Sequence, residues 1–181
     1  MSTPLVVALV AVATLFFWML GAHNRLVGLR NAIITSWARV QDTLNQRAAA
    51  LLPLVQTLRV ALAAEQGALD TLLAAHTEAL RCAGVLQASP LLAAPAGPWV
   101  AAESALAAAT SRVMALLEQD LELRSRPEVA APAAALRDMQ SRLAFARQAF
   151  NEAAAEHDSA LALFPTRLLV PVFRFAPAGR L

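Results

Sequence analysis

Apolar residues recur at alternating steps of three and four from Asn24 to Leu62, the spacing that places them on one face of an α-helix. This face comprises Leu26, Leu29, Ile33, Trp37, Val40, Leu44, Leu51, Leu54, Leu58 and Leu62. The opposite side is occupied by arginine, glutamine, asparagine and aspartate residues. The pattern predicts a long amphipathic helix whose apolar face contacts other helices.

The segment before this helix, residues 5–22, is apolar and contains no charged residue. It is close to the roughly 20 residues that cross the hydrocarbon layer of a bilayer. A cleaved signal peptide is the alternative, but residues 1–4 lack Lys and Arg, and Leu20-Gly21-Ala22 is a poor cleavage site. We therefore predict a retained transmembrane anchor over residues 1–23. Its expected lipid contacts are Leu5, Phe16, Phe17 and Trp18.

Charge next to the anchor predicts its orientation. Arg25, Arg30 and Arg39 all precede the first acidic residue, Asp42. Because positive charge is retained on the cytoplasmic side of a membrane, the N-terminus is expected outside and the remainder of the chain in the cytoplasm. No strong helix breaker separates the anchor from the amphipathic helix, so the two are predicted to form one rod.

Prolines and glycines divide the remaining chain into further helices. Pro53 is expected to kink the first helix, because it lacks an N–H group and clashes with the preceding turn. A turn is predicted at residues 63–67, and a second helix follows on the same spacing. Three prolines and a glycine at residues 88–98 predict a loop.

The third helix is predicted to start at Trp99 and to close around residues 118–122, with a connection at 124–132. The fourth helix has the strictest period, with apolar or seam residues recurring every seven positions from Leu136 to Phe164. The sequence thus predicts an all-α, coiled-coil-like antiparallel bundle of four helices over residues 24–165.

Residues 166–181 form an apolar tail with three arginines and no acidic residue. An up-down-up-down bundle returns the fourth helix to the membrane end of the first, so the tail is expected beside Arg25 and Arg30. We predict contact with the lipid surface from Arg25, Arg30, Arg167 and Arg174. The tail residues expected to contact a partner or a second copy are Leu168, Leu169, Phe173 and Phe175.

Composition narrows the class of function. All 15 basic residues are arginines against 13 acids, and a net charge of +2 is too small for a typical nucleic-acid binder. The single cysteine, Cys82, excludes an internal disulfide framework. His23, His76, His157 and Cys82 fit no metal-ligand or catalytic motif, so we expect neither an enzyme nor a cofactor.

Two asparagines lie near the predicted apolar faces. Asn31 and Asn151 are interpreted as interhelical amides that fix the helix register, with a ligand site as the alternative. Trp37 and Phe150 are expected to pack between the helices beside them.

Several stretches resemble the LemA family. Residues 24–31 (NRLVGLRN) are similar to its N-x-L-V-x-L-R-N opening, and residues 47–58 are similar to its R-R-x-x-L-I-P-x-L-V-x-x-V motif. Residues 144–151 (AFARQAFN) and 164–168 (FPTRL) resemble its I-A-Y-A-R-x-x-Y-N and F-P-S-N-L motifs. Phe145 and Phe150 stand where the family usually has tyrosines.

The resemblance implies a single-pass anchor, a long helical bundle and a location in the bacterial inner membrane. It supplies no catalytic residues. We predict a non-enzymatic scaffold that oligomerises or organises partners at the membrane, with lipids and either further copies or another membrane protein as partners. The alternative is an accessory subunit that regulates a membrane enzyme or complex.

Overall fold

The computed structural model of the chain describes residues 3–91, 94–163 and 177–181. The helices are α1 (Thr3–Ala61), α2 (Gln66–Ala88), α3 (Ala96–Gln119), α4 (Leu121–Ser125) and α5 (Pro127–Ala162), and a 3₁₀ turn spans Ala63–Glu65. Within the described ranges there is no strand. The all-α prediction is confirmed.

Helix α1 joins the apolar N-terminal segment to the amphipathic stretch without interruption. It also continues through Pro53, because the apolar face on both sides of the proline stays buried in one core. The predicted rod is therefore present, while a kink at Pro53 stays a prediction. The division of the chain at residues 23 and 165 also stays a prediction.

The turn between α1 and α2 lies where the sequence predicts it. The Gln66 side chain donates from Nε2 to the main-chain oxygens of Arg59 (2.8 Å) and Leu62 (3.2 Å). These carbonyls lie at the end of α1, where intrahelical partners run out. The Gln66 side chain therefore caps the C-terminal end of α1, and Gln66 is also the first residue of α2.

Two predicted loops are shorter than expected, because prolines lie inside the helices that follow them. Pro98 is in the first turn of α3 and Pro127 begins α5. The first turn of a helix needs no N–H donors for its own hydrogen bonds, so proline is accepted there. The predicted connection up to Pro132 is wrong, because α5 begins at Pro127 and continues through Pro132.

The short helix α4 is not anticipated by the sequence pattern, which continues the third helix to residue 122. Asp120 ends α3 and caps α4, because its side chain accepts a hydrogen bond of 2.9 Å from the Leu123 amide. Leu123 is buried and attaches this one-turn helix to the core.

The long helices run up-down-up-down, with α1 packed mainly on α5 and α2 mainly on α3. Near the start of the bundle, Leu26 of α1 packs with Ala160 and Leu161 of α5. Further along, Trp37 contacts Phe150. The two helices are therefore antiparallel, and the end of α5 lies beside the point in α1 where the apolar segment ends.

The buried face of α5 follows the predicted seven-residue period through Phe150, His157 and Ala160, with one exception at Ala153. Ala154 is fully buried, whereas Ala153 is only partly buried. A straight helix has 3.6 residues per turn, so it drifts away from a strict heptad over several turns. Phe164, the last residue of the predicted pattern, lies outside the described residues.

Candidate functional site

The N-terminal part of α1 is a continuous exposed apolar surface. Of the predicted anchor residues, Leu5 is 53% exposed, Phe16 58%, Phe17 70% and Trp18 40%. Two helices within the described residues are long and apolar enough to cross a membrane, α1 and α3. The apolar stretch of α3 is one-third buried in the bundle, whereas none of that of α1 is. Among the residues that the structure describes, this N-terminal stretch therefore has no core to pack against.

The bundle begins one turn after the apolar segment. Leu26 is 1% exposed, whereas Arg25 and Arg30 on either side of it are exposed. The structure therefore places these two arginines at the end of the bundle next to the apolar segment. The other predicted lipid-surface arginines, Arg167 and Arg174, lie outside the described residues, as do the tail residues Leu168, Leu169, Phe173 and Phe175.

An aromatic cluster joins three helices in the half of the bundle near the apolar segment. Trp37 of α1 contacts Trp99 of α3 and Phe150 of α5 edge to face, with ring centroids 5.8 and 6.3 Å apart. Arg147 lies over the Trp99 ring, 5.5 Å from its centroid. Trp37 and Phe150 are thus buried between helices, where the sequence predicts them.

A buried ion pair connects α1 to α3 about three turns further along. Arg47 donates from Nη1 and Nη2 to the two carboxylate oxygens of Glu103, each at 2.7 Å. The side chains are only 10% and 5% exposed. Parallel paired contacts of this kind fix both distance and orientation, so the pair sets the register between the two helices.

His76 of α2 is buried near this pair. Burial lowers the pKa of His76, the positive charge of Arg47 lowers it further, and the negative charge of Glu103 opposes that effect. Its Nδ1 has no hydrogen-bond partner in the part of the chain that the structure describes. The neutral imidazole is therefore the form that the core accommodates.

A cleft of about 570 Å³ opens between α3 and α5 beside the ion pair. Arg47, Glu103 and Arg147 line it together with small polar side chains and leucines. Its charged residues are the same ones that hold the helices together. The cleft is therefore an extension of the packing between helices.

Sequence reasoning did not single out Arg47 or Glu103. Each nevertheless occupies a place in an apolar face: Arg47 lies three residues after Leu44, and Glu103 lies three residues before Leu106. A charged residue on the apolar spacing of two neighbouring helices, with opposite signs, is the signal that could have found the pair.

The two asparagines differ from their predicted roles. Asn31 is exposed, so the predicted buried interhelical amide is wrong there. Asn151 is partly buried and its amide bonds the C-terminal segment rather than a neighbouring helix: Nδ2 donates to the Leu181 main-chain oxygen (2.8 Å), and Oδ1 accepts from the Leu181 amide (2.7 Å).

No group of three or more His, Cys, Asp or Glu side chains suited to a metal ion occurs in residues 3–91, 94–163 or 177–181. Cys82 is buried, and burial together with a hydrogen bond to Glu78 raises the pKa of its thiol. A raised pKa leaves less thiolate, the reactive form. His157 is 1% exposed, and its Nδ1 lies 3.4 Å from Asp158 Oδ1.

The comparisons with known proteins identify the bundle. A family model, that of the LemA family, matches residues 36–180, most of the chain. No curated protein matches the chain. The family match begins within α1, after the apolar segment.

Proposed function

Because the chain belongs to the LemA family and begins with an exposed apolar helix, we propose that it is a single-pass membrane protein. Its bundle is a non-enzymatic scaffold that assembles with further copies at the membrane surface. The observation that carries the proposal is the continuity of α1, which joins an unburied apolar segment to the core of the bundle in one helix.

Support for the membrane anchor comes from exposure. An apolar surface as long as this one is unfavourable in water, since each Å² that leaves water contributes roughly 25 cal/mol. Leu15 and Phe17 remain more than half exposed. A bilayer is the environment that removes such a surface from water while satisfying the backbone within the helix.

Support for the orientation comes from charge. Arg25 and Arg30 follow the apolar segment directly, and each arginine close to an anionic surface contributes about 1 kcal/mol. We propose that the bundle lies on the cytoplasmic side of a bacterial inner membrane with both arginines at the lipid head groups. A cysteine placed at Gln119 should be protected from impermeant maleimide in intact cells and labelled after lysis. Labelling before lysis would instead indicate the opposite orientation, with the bundle outside the cytoplasm.

Support for assembly comes from apolar side chains that the bundle leaves uncovered away from the membrane end. Val60 is 86% exposed, Leu121 71% and Phe145 74%. Such residues are ordinary when scattered, but contact with further copies would cover them. A rigid rod that ends in an anchor also holds neighbouring bundles in one plane, which raises their local concentration.

The experiment measures native mass. The full chain, 19.2 kDa, is extracted from membranes in native nanodiscs and weighed by mass photometry or native mass spectrometry. We expect multiples of the chain mass. One foreign protein at fixed stoichiometry would favour the accessory-subunit function instead, and a monomer alone would refute the scaffold.

A double variant, Val10→Arg with Val12→Arg, tests the anchor. Arginine at Val10 and Val12 costs about 2.5–3.5 kcal/mol for each residue near the centre of a bilayer, and neither valine touches the bundle core. The variant should leave the membrane fraction on carbonate washing while the wild type remains. The control carries arginine at Ala101, an exposed position of α3, and should remain in the membrane fraction. If the anchor variant also remains, the anchor assignment is wrong.

A further inference from the structure

The last residues of the chain lie along α5 in a shallow groove. The Ala178 amide donates to Asp158 Oδ1 (2.8 Å), and the Leu181 main chain pairs with the Asn151 amide. Arg180 donates from Nη1 to the Asn151 main-chain oxygen (3.0 Å) and from Nη2 to Asp158 Oδ2 (3.2 Å). Five hydrogen bonds thus hold four residues.

The spacing of the groove matches an extended peptide. Asn151 and Asp158 are seven residues apart on α5, about 10.5 Å along the helix. Residues 178 and 181 of an extended chain are separated by a similar distance, about 10 Å. The two side chains therefore meet main-chain groups at both ends of the segment.

The groove recognises the main chain as well as side chains. A helix has no free backbone edge to offer a peptide, because its N–H and C=O groups bond within the helix. Asn151 replaces such an edge, since its amide satisfies both the N–H and the C=O of one residue. Ala178 and Leu181 are buried, at 6% and 9% exposure, so the contact excludes water on one side.

The connection to this segment is longer than the distance it must cover. Asp158, which bonds Ala178, lies only five residues before Leu163, about 7.5 Å along α5. Residues 164–176 join Leu163 to the bound segment, and a chain of that length can span up to about 40 Å. The segment therefore has the reach to enter the groove of a neighbouring molecule.

We propose that the groove formed by Asn151 and Asp158 binds residues 178–181 of a second copy of this chain. This inference rests on the proposed assembly at the membrane and names its contact. Exchange forms the same five hydrogen bonds between copies as within one copy, so none of these five is lost. Anchoring in one membrane supplies the concentration that favours the exchanged form.

The test is complementation between two defective copies. One variant, Asn151→Ala with Asp158→Ala, lacks the groove and keeps the segment; the other lacks residues 177–181 and keeps the groove. Full-length copies carrying different tags are co-expressed, and co-purification of the two tags from solubilised membranes is measured. Circular dichroism and thermal unfolding check that each variant folds.

Wild-type copies should co-purify, and each defective variant expressed with itself should do so at least about tenfold less, because charge-assisted hydrogen bonds are lost. The groove-less and segment-less variants together should recover co-purification, since one groove and one segment remain. Ser141→Ala, at an exposed position of α5 ten residues before Asn151, is the control and should behave as wild type.

Co-purification that persists in every variant would overturn the exchange while leaving the scaffold intact, because another surface would then hold the copies together. Loss of co-purification without recovery in the mixed pair would also overturn it. Absence of co-purification in the wild type would refute both the exchange and the proposed assembly.

Discussion

Replacing Glu103 by glutamine tests whether the buried ion pair holds α1 and α3 in register. Glutamine keeps the size of the side chain and removes its charge. One amide oxygen can still accept from Arg47, but the amide nitrogen would face the second guanidinium nitrogen, and both groups are donors. The substitution therefore leaves a buried cation with half of its contacts.

The magnitude follows from the burial of the pair. At 10% and 5% exposure and two contacts of 2.7 Å, water cannot replace the lost carboxylate. Breaking a buried pair on one side costs about 3–5 kcal/mol in the free energy of unfolding. The double variant Arg47→Met with Glu103→Leu replaces the ion pair by an apolar contact. It should lower the free energy of unfolding less than either Arg47→Met or Glu103→Leu alone.

The assay is urea unfolding of the full chain in detergent, followed by far-ultraviolet circular dichroism. It compares Glu103→Gln, the single variants Arg47→Met and Glu103→Leu, and the double variant that combines these last two. Asp138→Asn is the control, since Asp138 pairs with Arg142 on the surface at roughly half exposure and exposed pairs contribute less than about 1 kcal/mol. If Glu103→Gln costs no more than this control, or the double variant costs the sum of the singles, the ion pair does not set the register.

Three further changes have defined outcomes. Phe150→Ala should cost about 3–5 kcal/mol in the free energy of unfolding because Phe150 is fully buried, whereas Phe145→Ala, at 74% exposure, should change it little; equal costs would contradict the packing. The folded-state pKa of His76 is lowered below 6.5, so its contribution to stability is present above pH 6.5 and is lost as the pH falls below it. Between pH 7.5 and pH 5.5, the urea midpoint should therefore fall less for His76→Gln than for wild type. An equal fall would exclude this titration. Asp120→Ala removes the cap of α4 and should cost about 1 kcal/mol by thermal unfolding, an effect that Asp120→Asn should largely avoid.

The helices and their order could be predicted from the sequence because their apolar spacing is strong and long. Leu26, Trp37 and Phe150 are buried as the periodicity predicts. The ends of the helices were harder to predict. A proline breaks a helix in its middle but is accepted in its first turn, which is where Pro98 and Pro127 lie. A proline alone does not distinguish the two positions.

The candidate site was less predictable, because its contacts join residues far apart in sequence. Arg47 and Glu103 are separated by 56 positions. A charged residue within an apolar face looks like an interruption of the hydrophobic pattern, so the pattern does not reveal that it has a buried partner. Asn151 lies near an apolar face, but its partner is a segment 30 residues away. Periodicity indicates which face of a helix is covered and does not indicate what covers it.

The continuity of α1 links the register of the bundle to the proposed exchange of C-terminal segments. Asn151 lies next to Phe150, which contacts Trp37, and Trp37 is 13 residues beyond Asn24, about 20 Å along the helix. In the proposed assembly, every copy therefore carries its groove at the same distance from the membrane. Neighbouring anchored copies then need only lateral contact for one segment to meet the next groove. An anchor joined to the bundle by a flexible linker would allow each groove a range of heights, so the uninterrupted helix is what makes exchange between parallel neighbours geometrically favourable.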